Sequence, residues 1–219
     1  MDLAQLAPTT GAAFLASLVE CVEAATILLA VGTVRGWRSA FAGLFAGLAA
    51  LLALVLALGP ALSLLPERVL QLVVGLLLLL FGMRWLRKAI LRSAGIIALH
   101  DEEKVFRSEA ANLRMAQASE RWGVDPLATA TAFKAVLLEG VEVAFLVLAV
   151  SAGSPALVWP AALGALAAAA LVAVVAFAVH RPLARVPENA PKFAVGVVIS
   201  AFGIYWTGEG LGVEWPGHD

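Results

Sequence analysis

Apolar residues in this chain come in long blocks rather than at alternate positions. The stretch from Ala40 to Pro66 contains no charged residue, and neither does the stretch from Pro155 to Val179. A bilayer core is spanned by about 20 consecutive apolar residues in a helix, so both blocks have the length of a membrane-crossing segment. Turn punctuation separates six such blocks: "RGWR", "PER", "SAGSP" and "HRPLARVPENAPK" stand between runs that otherwise carry few breakers. The pattern predicts helices over roughly 12–34, 39–64, 67–88, 128–150, 156–179 and 191–211. Between the third and fourth lies "HDEEKVFRSEAANLRMAQASERW", charged, without Pro or Gly, with Val105, Leu113 and Met115 among polar residues. This reads as an extra amphipathic helix outside the membrane, free or lying on its surface.

Basic residues give the expected orientation. With six crossings, Arg35, Arg38, Arg84, Arg87, Lys88, Arg92, Lys104, Arg107, Arg114, Arg121, Arg181, Arg185 and Lys192 fall on one side, with Lys134 near the same edge. Arg68 falls alone on the other. The positive-inside rule makes the crowded side cytoplasmic and puts both termini outside. Moving one boundary would scatter the charges.

The two halves resemble each other. Phe14–Val31 aligns without a gap on Phe133–Val150, and "LPERVLQLVVGLLLLLFGMRW" aligns on "VPENAPKFAVGVVISAFGIYW". The second match pairs Pro66 with Pro187, Glu67 with Glu188, Gly75 with Gly196, Gly82 with Gly203 and Trp85 with Trp206. Three spans per repeat is an odd number, so the second repeat enters the membrane from the opposite side. Inverted repeats of this kind build transporters whose substrate site lies at the repeat interface near the midplane. The expected fold is therefore all-α, six transmembrane helices as two inverted three-helix repeats (residues 1–95 and 127–219), joined by a cytoplasmic helical linker (96–126).

Composition agrees: 62% of the 219 residues are hydrophobic and only 14% charged, against about half and a quarter in soluble domains. The start, "MDLAQLAPTT", lacks the basic residues of a secretory signal. One cysteine excludes an internal disulfide, and no Cys/His zinc spacing is present.

Four acids stand out within the apolar runs: Glu20 and Glu23 in "ECVE", Glu139 and Glu142 in "EGVE". Residues three apart share a helix face, so each motif presents two carboxyls together, and the repeat symmetry brings the two helices face to face. An acid at a helix centre costs about 3 kcal/mol against lipid, so these four must face protein, water or a cation. Oxygen-only clusters suit hard divalent ions such as Ca²⁺, Mn²⁺ or Mg²⁺, with iron also within range. Crowded carboxyls in a low dielectric cannot all ionise, so without metal some hold protons. A site that trades protons for a divalent cation is an exchanger. The alternative, protonated glutamates that only join helices, explains one acid better than two symmetric pairs.

Other residues carry less. Cys21, whose repeat partner is Gly140, reads as a packing residue, and Lys134 as a side chain reaching back to the interface. Thr26 could lend a hydroxyl one turn after Glu23. His100, His180 and His218 read as solvated, and Glu67 and Glu188 as acids favouring helix starts.

These residues carry two resemblances. "ECVEAA" and "EGVEVA" resemble the RExGLE-type motif of the oxidase-dependent iron permeases, with Val19 and Leu138 in place of the basic residue. The layout also resembles the calcium/manganese–proton exchanger family, whose first and fourth spans carry an acid–x–Gly–Asp–basic–Thr motif; here the second acid is Glu, and the Gly, basic and Thr positions differ. Either resemblance implies that Glu20, Glu23, Glu139 and Glu142 are the cation ligands. The expectation is a secondary transporter of a divalent metal cation, coupled to protons, and not an enzyme. Its partners are the ion, protons and the lipid bilayer, with no nucleic acid and with a homodimer compatible. No prosthetic group is expected beyond the transported ion. The setting is an integral plasma membrane of bacterial type. An iron permease, a membrane scaffold or sensor acting through 96–126, and a membrane-embedded metal enzyme are the alternatives.

Overall fold

The computed structural model describes residues 3–63, 65–117, 123–151, 155–179 and 189–215. These form seven helices and no strand: α1 (Leu3–Arg35), α2 (Trp37–Ser63), α3 (Glu67–Ser93), α4 (Glu102–Met115), α5 (Pro126–Val150), α6 (Pro155–Val179) and α7 (Asn189–Leu211). Five of them, α1, α2, α3, α6 and α7, are long and apolar enough to cross a membrane. The 25-residue α5 has the length as well. It carries Lys134, Glu139 and Glu142 in its middle, which lowers its apolar character where the candidate site lies.

Local chemistry sets the ends. Gly36, at φ +92°, is the single residue between α1 and α2; a side chain is disfavoured in that left-handed conformation. At the end of α3 the Ile96 N–H donates to the Leu91 carbonyl at 2.9 Å around Gly95 (φ +71°), a six-to-one closure that stops the helix. The Asp125 carboxylate caps α5 by accepting from the Leu127 and Ala128 N–H groups at 2.9 and 3.2 Å, just ahead of Pro126 at the first helical position. Asp125 also forms a buried ion pair with Arg35 Nη1 at 3.0 Å. Arg35 Nε donates to the Leu113 carbonyl at 3.0 Å, and Nη2 reaches the Leu113 and Ala116 carbonyls. One guanidinium thus ties the end of α1 to the end of α4 and the start of α5.

Helix pairing follows small residues. α3 lies antiparallel on α7, α1 beside α6, α2 beside α5, and α1 against α5. A Cβ on Gly82 would come within 2.5 Å of Ser200 Oγ, and one on Gly203 would overlap the Leu79 backbone; Gly75 meets Thr207 as Gly196 meets Leu86. Under the sequence repeat, Gly82 corresponds to Gly203 and Ser200 to Leu79, so each contact is the other with its helices exchanged. The same exchange holds outside the aligned stretches. Gly43 of α2 meets Thr129 and Phe133 of α5, while Gly164 of α6 meets Thr10 and Phe14 of α1. Close approach of this sort is the usual basis of helix association in lipid. The outward faces of α2 and α6 are apolar, with Phe45, Leu52 and Leu56 on one and Trp159, Leu163 and Leu166 on the other all exposed.

The linker region differs from the expectation of a free or surface-lying helix over most of 96–126. Its helix is shorter, opening at the Asp101 cap, and packs along α1. Leu113 is buried among Val31, Ala40, Ala128 and Ala132, and Phe106 packs on the cluster of Val22, Ala25 and Leu29. Residues 118–122 lie outside the described set, as do Arg181, Arg185, His180, Pro187, Glu188 and His218.

Candidate metal centre

Helix spacing explains why Glu20 and Glu23 point together: three residues advance the chain by about 300° and 4.5 Å, which keeps both on one face. Glu139 and Glu142 do the same on α5. The contact between α1 and α5 brings the two faces together. Carboxylate oxygens of Glu20, Glu23 and Glu139 all lie within 4.8 Å of one another, a separation one ion could bridge. Glu20 is completely buried, and its two oxygens and Glu139 Oε2 have no hydrogen-bond partner. Buried carboxyl oxygens without hydrogen bonds are costly, and beyond the ammonium group that approaches Glu20 Oε1, a cation or proton among them lowers that cost.

Glu142 stands apart from this trio. Its Oε1 pairs with Arg84 Nη2 at 3.1 Å, and the Arg84 guanidinium lies over the Phe81 ring, 5.9 Å from its centroid. Glu23 and Glu20 receive a second base. Lys192 Nζ, on the first turn of α7, is paired with Glu23 and lies 3.4 Å from Glu20 Oε1 and 5.5 Å from the centre of the Trp85 ring. Charge counting alone places Arg84 and Lys192 on the cytoplasmic flank. Long alkyl stems allow both to reach inward, and packing of α3 on α7 turns them toward the acids.

The acids of the two ExxE motifs outnumber the two bases that pair with them, Arg84 and Lys192. Oxygen donors continue along α1, where Ser17 and Thr26 are buried at the same three-residue spacing with hydroxyls that lack a partner. Nine residues apart, the two lie on opposite sides of α1, so the three-residue spacing does not carry both hydroxyls onto the glutamate face. Lys134 is exposed on α5, as a side chain reaching the interface would be.

Glu20 and Glu139 form the polar end of an otherwise largely apolar cavity of about 360 Å³ between α1, α2, α5 and α6. Cys21 lines it and packs beside Val22 and Ala25. Its repeat partner is glycine because Leu51 fills the place of a side chain: a Cβ at Gly140 would lie 2.6 Å from Leu51 Cδ2. The reading of Cys21 as a packing residue fits these contacts. His100 departs from the expectation of a solvated side chain, since its Nε2 lies 3.1 Å from Glu102 Oε1 in a partly buried pair.

The fold and site are those of a helical membrane protein with an internal cluster of acids. Comparison with known families gives the same class. The family described as divalent cation/proton antiporter GDT1 matches residues 5–93, the stretch that runs from α1 to the end of α3. Of the two families the motif resembles, the match falls on the cation/proton exchangers. No curated protein and no solved structure matches the chain.

Proposed function

We propose that this chain is a secondary transporter of a divalent cation, that it exchanges the ion for protons, and that Glu20, Glu23, Glu139 and Glu142 form its ion site. The observation that carries the reading is the convergence of Glu20, Glu23 and Glu139 oxygens within 4.8 Å inside the bundle. The excess of acids over bases at the cluster supports a cation as the transported species. The first three helices resemble a cation/proton antiporter family, and that resemblance supports the same activity.

The architecture proposed is two inverted three-helix repeats, α1–α3 and α5–α7, with α5 as the sixth crossing. Its support is the exchanged contacts of Gly43 with Gly164 and of Gly82 with Gly203, together with the sense of α5, which runs against α1 through the same bundle. In this frame both termini lie outside and α4 packs along the cytoplasmic half of α1, from Val31 inward to Glu23. Alternating access is then a rocking of one repeat on the other about the shared acids.

Exchange follows from electrostatics. When the ion leaves, the carboxylates repel one another in a poor dielectric, and protons relieve that repulsion. Metal entry expels the protons, because a ligating carboxylate must be deprotonated. Lys192 partly neutralises Glu20 and Glu23 while no metal is bound. The test is flux of Ca²⁺, Mn²⁺, Fe²⁺, Mg²⁺ and Zn²⁺ into proteoliposomes with internal pH recorded, for wild type and for Glu→Gln at the four positions. Flux of at least one ion with opposite proton movement, lost in Glu20→Gln and Glu139→Gln, is expected. No flux of any ion, or full flux in all four variants, overturns the reading; ion flux without proton counterflow removes the coupling.

A further inference from the structure

We propose that Glu23, His100 and Glu102 form a second divalent-metal site at the mouth of the glutamate cluster, selective for ions that accept imidazole, of the Fe²⁺ and Zn²⁺ class. One ligand atom from each of these three residues lies within 4.8 Å of the others. Glu102 is only 6% exposed, and its Oε2 is buried with no hydrogen-bond partner. Its Oε1 is hydrogen-bonded to His100 Nε2 at 3.1 Å, a separation that falls between the ~3.0 Å octahedral and ~3.4 Å tetrahedral edges of two ligands bonded at about 2.1 Å to one ion.

An acid in the first turn of a helix favours the helix dipole, and that accounts for an acid at this position. It does not account for burial of an unsatisfied carboxylate oxygen, which an exposed first-turn acid avoids. Neighbouring Glu103 has the same dipole and is exposed, paired with Arg107 one turn on. Burial of Glu102 rather than Glu103 comes from the Asp101 cap, which fixes the first turn by accepting from the Glu103 and Lys104 N–H groups. The packing of α4 along α1 then aims Glu102 at Glu23.

The location gives the site a role. The outward face of α4 carries Glu103, Lys104 and Arg107, all exposed. Charged side chains of this kind must meet water, so only the width of α4 separates Glu102 and Glu23 from an aqueous face. Glu23 belongs to both groups of ligands, this one and the inner one with Glu20 and Glu139. An ion held by His100 and Glu102 is already bound to a ligand of the inner site and moves inward by exchanging two ligands while keeping the third. Imidazole discriminates against Ca²⁺ and Mg²⁺, which prefer oxygen, so selection occurs at the outer step. The inward transfer rests on the transport reading; the binding of metal by His100 does not.

The chain has three histidines, which makes the test specific. The full chain, purified with a histidine-free tag and carrying His180→Gln and His218→Gln, has His100 as its sole imidazole. At one equivalent of Zn²⁺, X-ray absorption is expected to record one imidazole per zinc. In this background His100→Gln should abolish that signal and weaken Zn²⁺ binding about tenfold or more, the scale on which metal sites respond to loss of a supporting group. Ca²⁺ binding should change by less than about twofold under the same substitution, because oxygen-preferring ions do not use the ring. His100→Asp should restore much of the affinity without the imidazole signal, and Glu102→Gln should weaken Zn²⁺ as His100→Gln does. With Glu20→Gln and Glu139→Gln added, flux stops but the imidazole signal persists. Zinc affinity and spectrum unchanged by His100→Gln overturn the site, whether or not the protein transports.

Discussion

Replacing Lys192 by glutamine tests whether the ammonium group competes with metal for the acids. Lys192 Nζ lies 3.4 Å from Glu20 Oε1 and is also paired with Glu23. Side-chain exposures are 7% for Lys192 and 0% for Glu20, so solvent screens the interaction little. At an effective dielectric of about 20, the attraction at that distance is roughly 5 kcal/mol. A metal entering between Glu20 and Glu23 must displace the ammonium group, or tolerate its positive charge close by. Either way Lys192 opposes the ion. If a third of the attraction, about 1.6 kcal/mol, appears as competition, removing it raises metal affinity more than tenfold.

Lys192→Gln should therefore lower the KM for the transported ion by about tenfold or more, with the metal-bound protein gaining correspondingly in Tm. Metal-free protein should lose stability, because a buried ion pair broken on one side typically costs about 3–5 kcal/mol. Vmax should fall as well, since the emptied site no longer has its resident cation for the return. Lys192→Arg preserves the charge and should keep KM near that of wild type. The measurements are flux kinetics in proteoliposomes and equilibrium metal binding, with monodispersity establishing that the variants are folded. If a folded Lys192→Gln protein has an unchanged or raised KM, Lys192 is a structural cross-link between α1 and α7 and the competition argument fails.

Other outcomes follow from the same geometry. Metal affinity should rise with pH, because protons and metal compete for the same carboxylates; titration of binding from acid to neutral pH reads this, and Glu20→Gln should flatten the dependence. Arg84→Gln should raise ion affinity only a few-fold and change stability by less than about 1 kcal/mol, because the Arg84 side chain is 61% exposed and its pair with Glu142 is screened. Asp125→Asn should destabilise the protein by about 3–5 kcal/mol, measured by chemical unfolding in micelles, since it leaves the Arg35 guanidinium buried without its counter-charge. Leucine at Gly164 should lower unfolding stability by at least about 1–3 kcal/mol through overpacking against Thr10 and Phe14. Gly43→Leu should cost a similar amount, and unequal effects would count against the two-fold relation of the helices.

Apolar periodicity made the helices legible, because lipid demands long uninterrupted runs and punctuation between them. It also picked out four acids by their ExxE spacing, of which Glu20, Glu23 and Glu139 converge while Glu142 turns to Arg84. What periodicity could not give was the partner of each charge. Arg84 and Lys192 count with the cytoplasmic flank because the charge bias reads only their position near helix ends. Their direction depends on how α3 packs on α7, a relation set by Gly75, Gly82, Gly196 and Gly203 over a long sequence separation. The position of α4 was hidden for the same reason: its charged outward face resembles that of a surface helix, and only three of its residues, Glu102, Ala110 and Leu113, are buried. Gly43 and Gly164 carry a further lesson. Each looks like an ordinary small residue in an Ala- and Leu-rich run, where no alignment by letter can find register. Only the exchanged contacts, with Thr129 and Phe133 on one side and Thr10 and Phe14 on the other, relate the second helices of the two halves. The acids tell which chemistry the molecule can do, and the glycines tell how closely its helices must approach for those acids to meet.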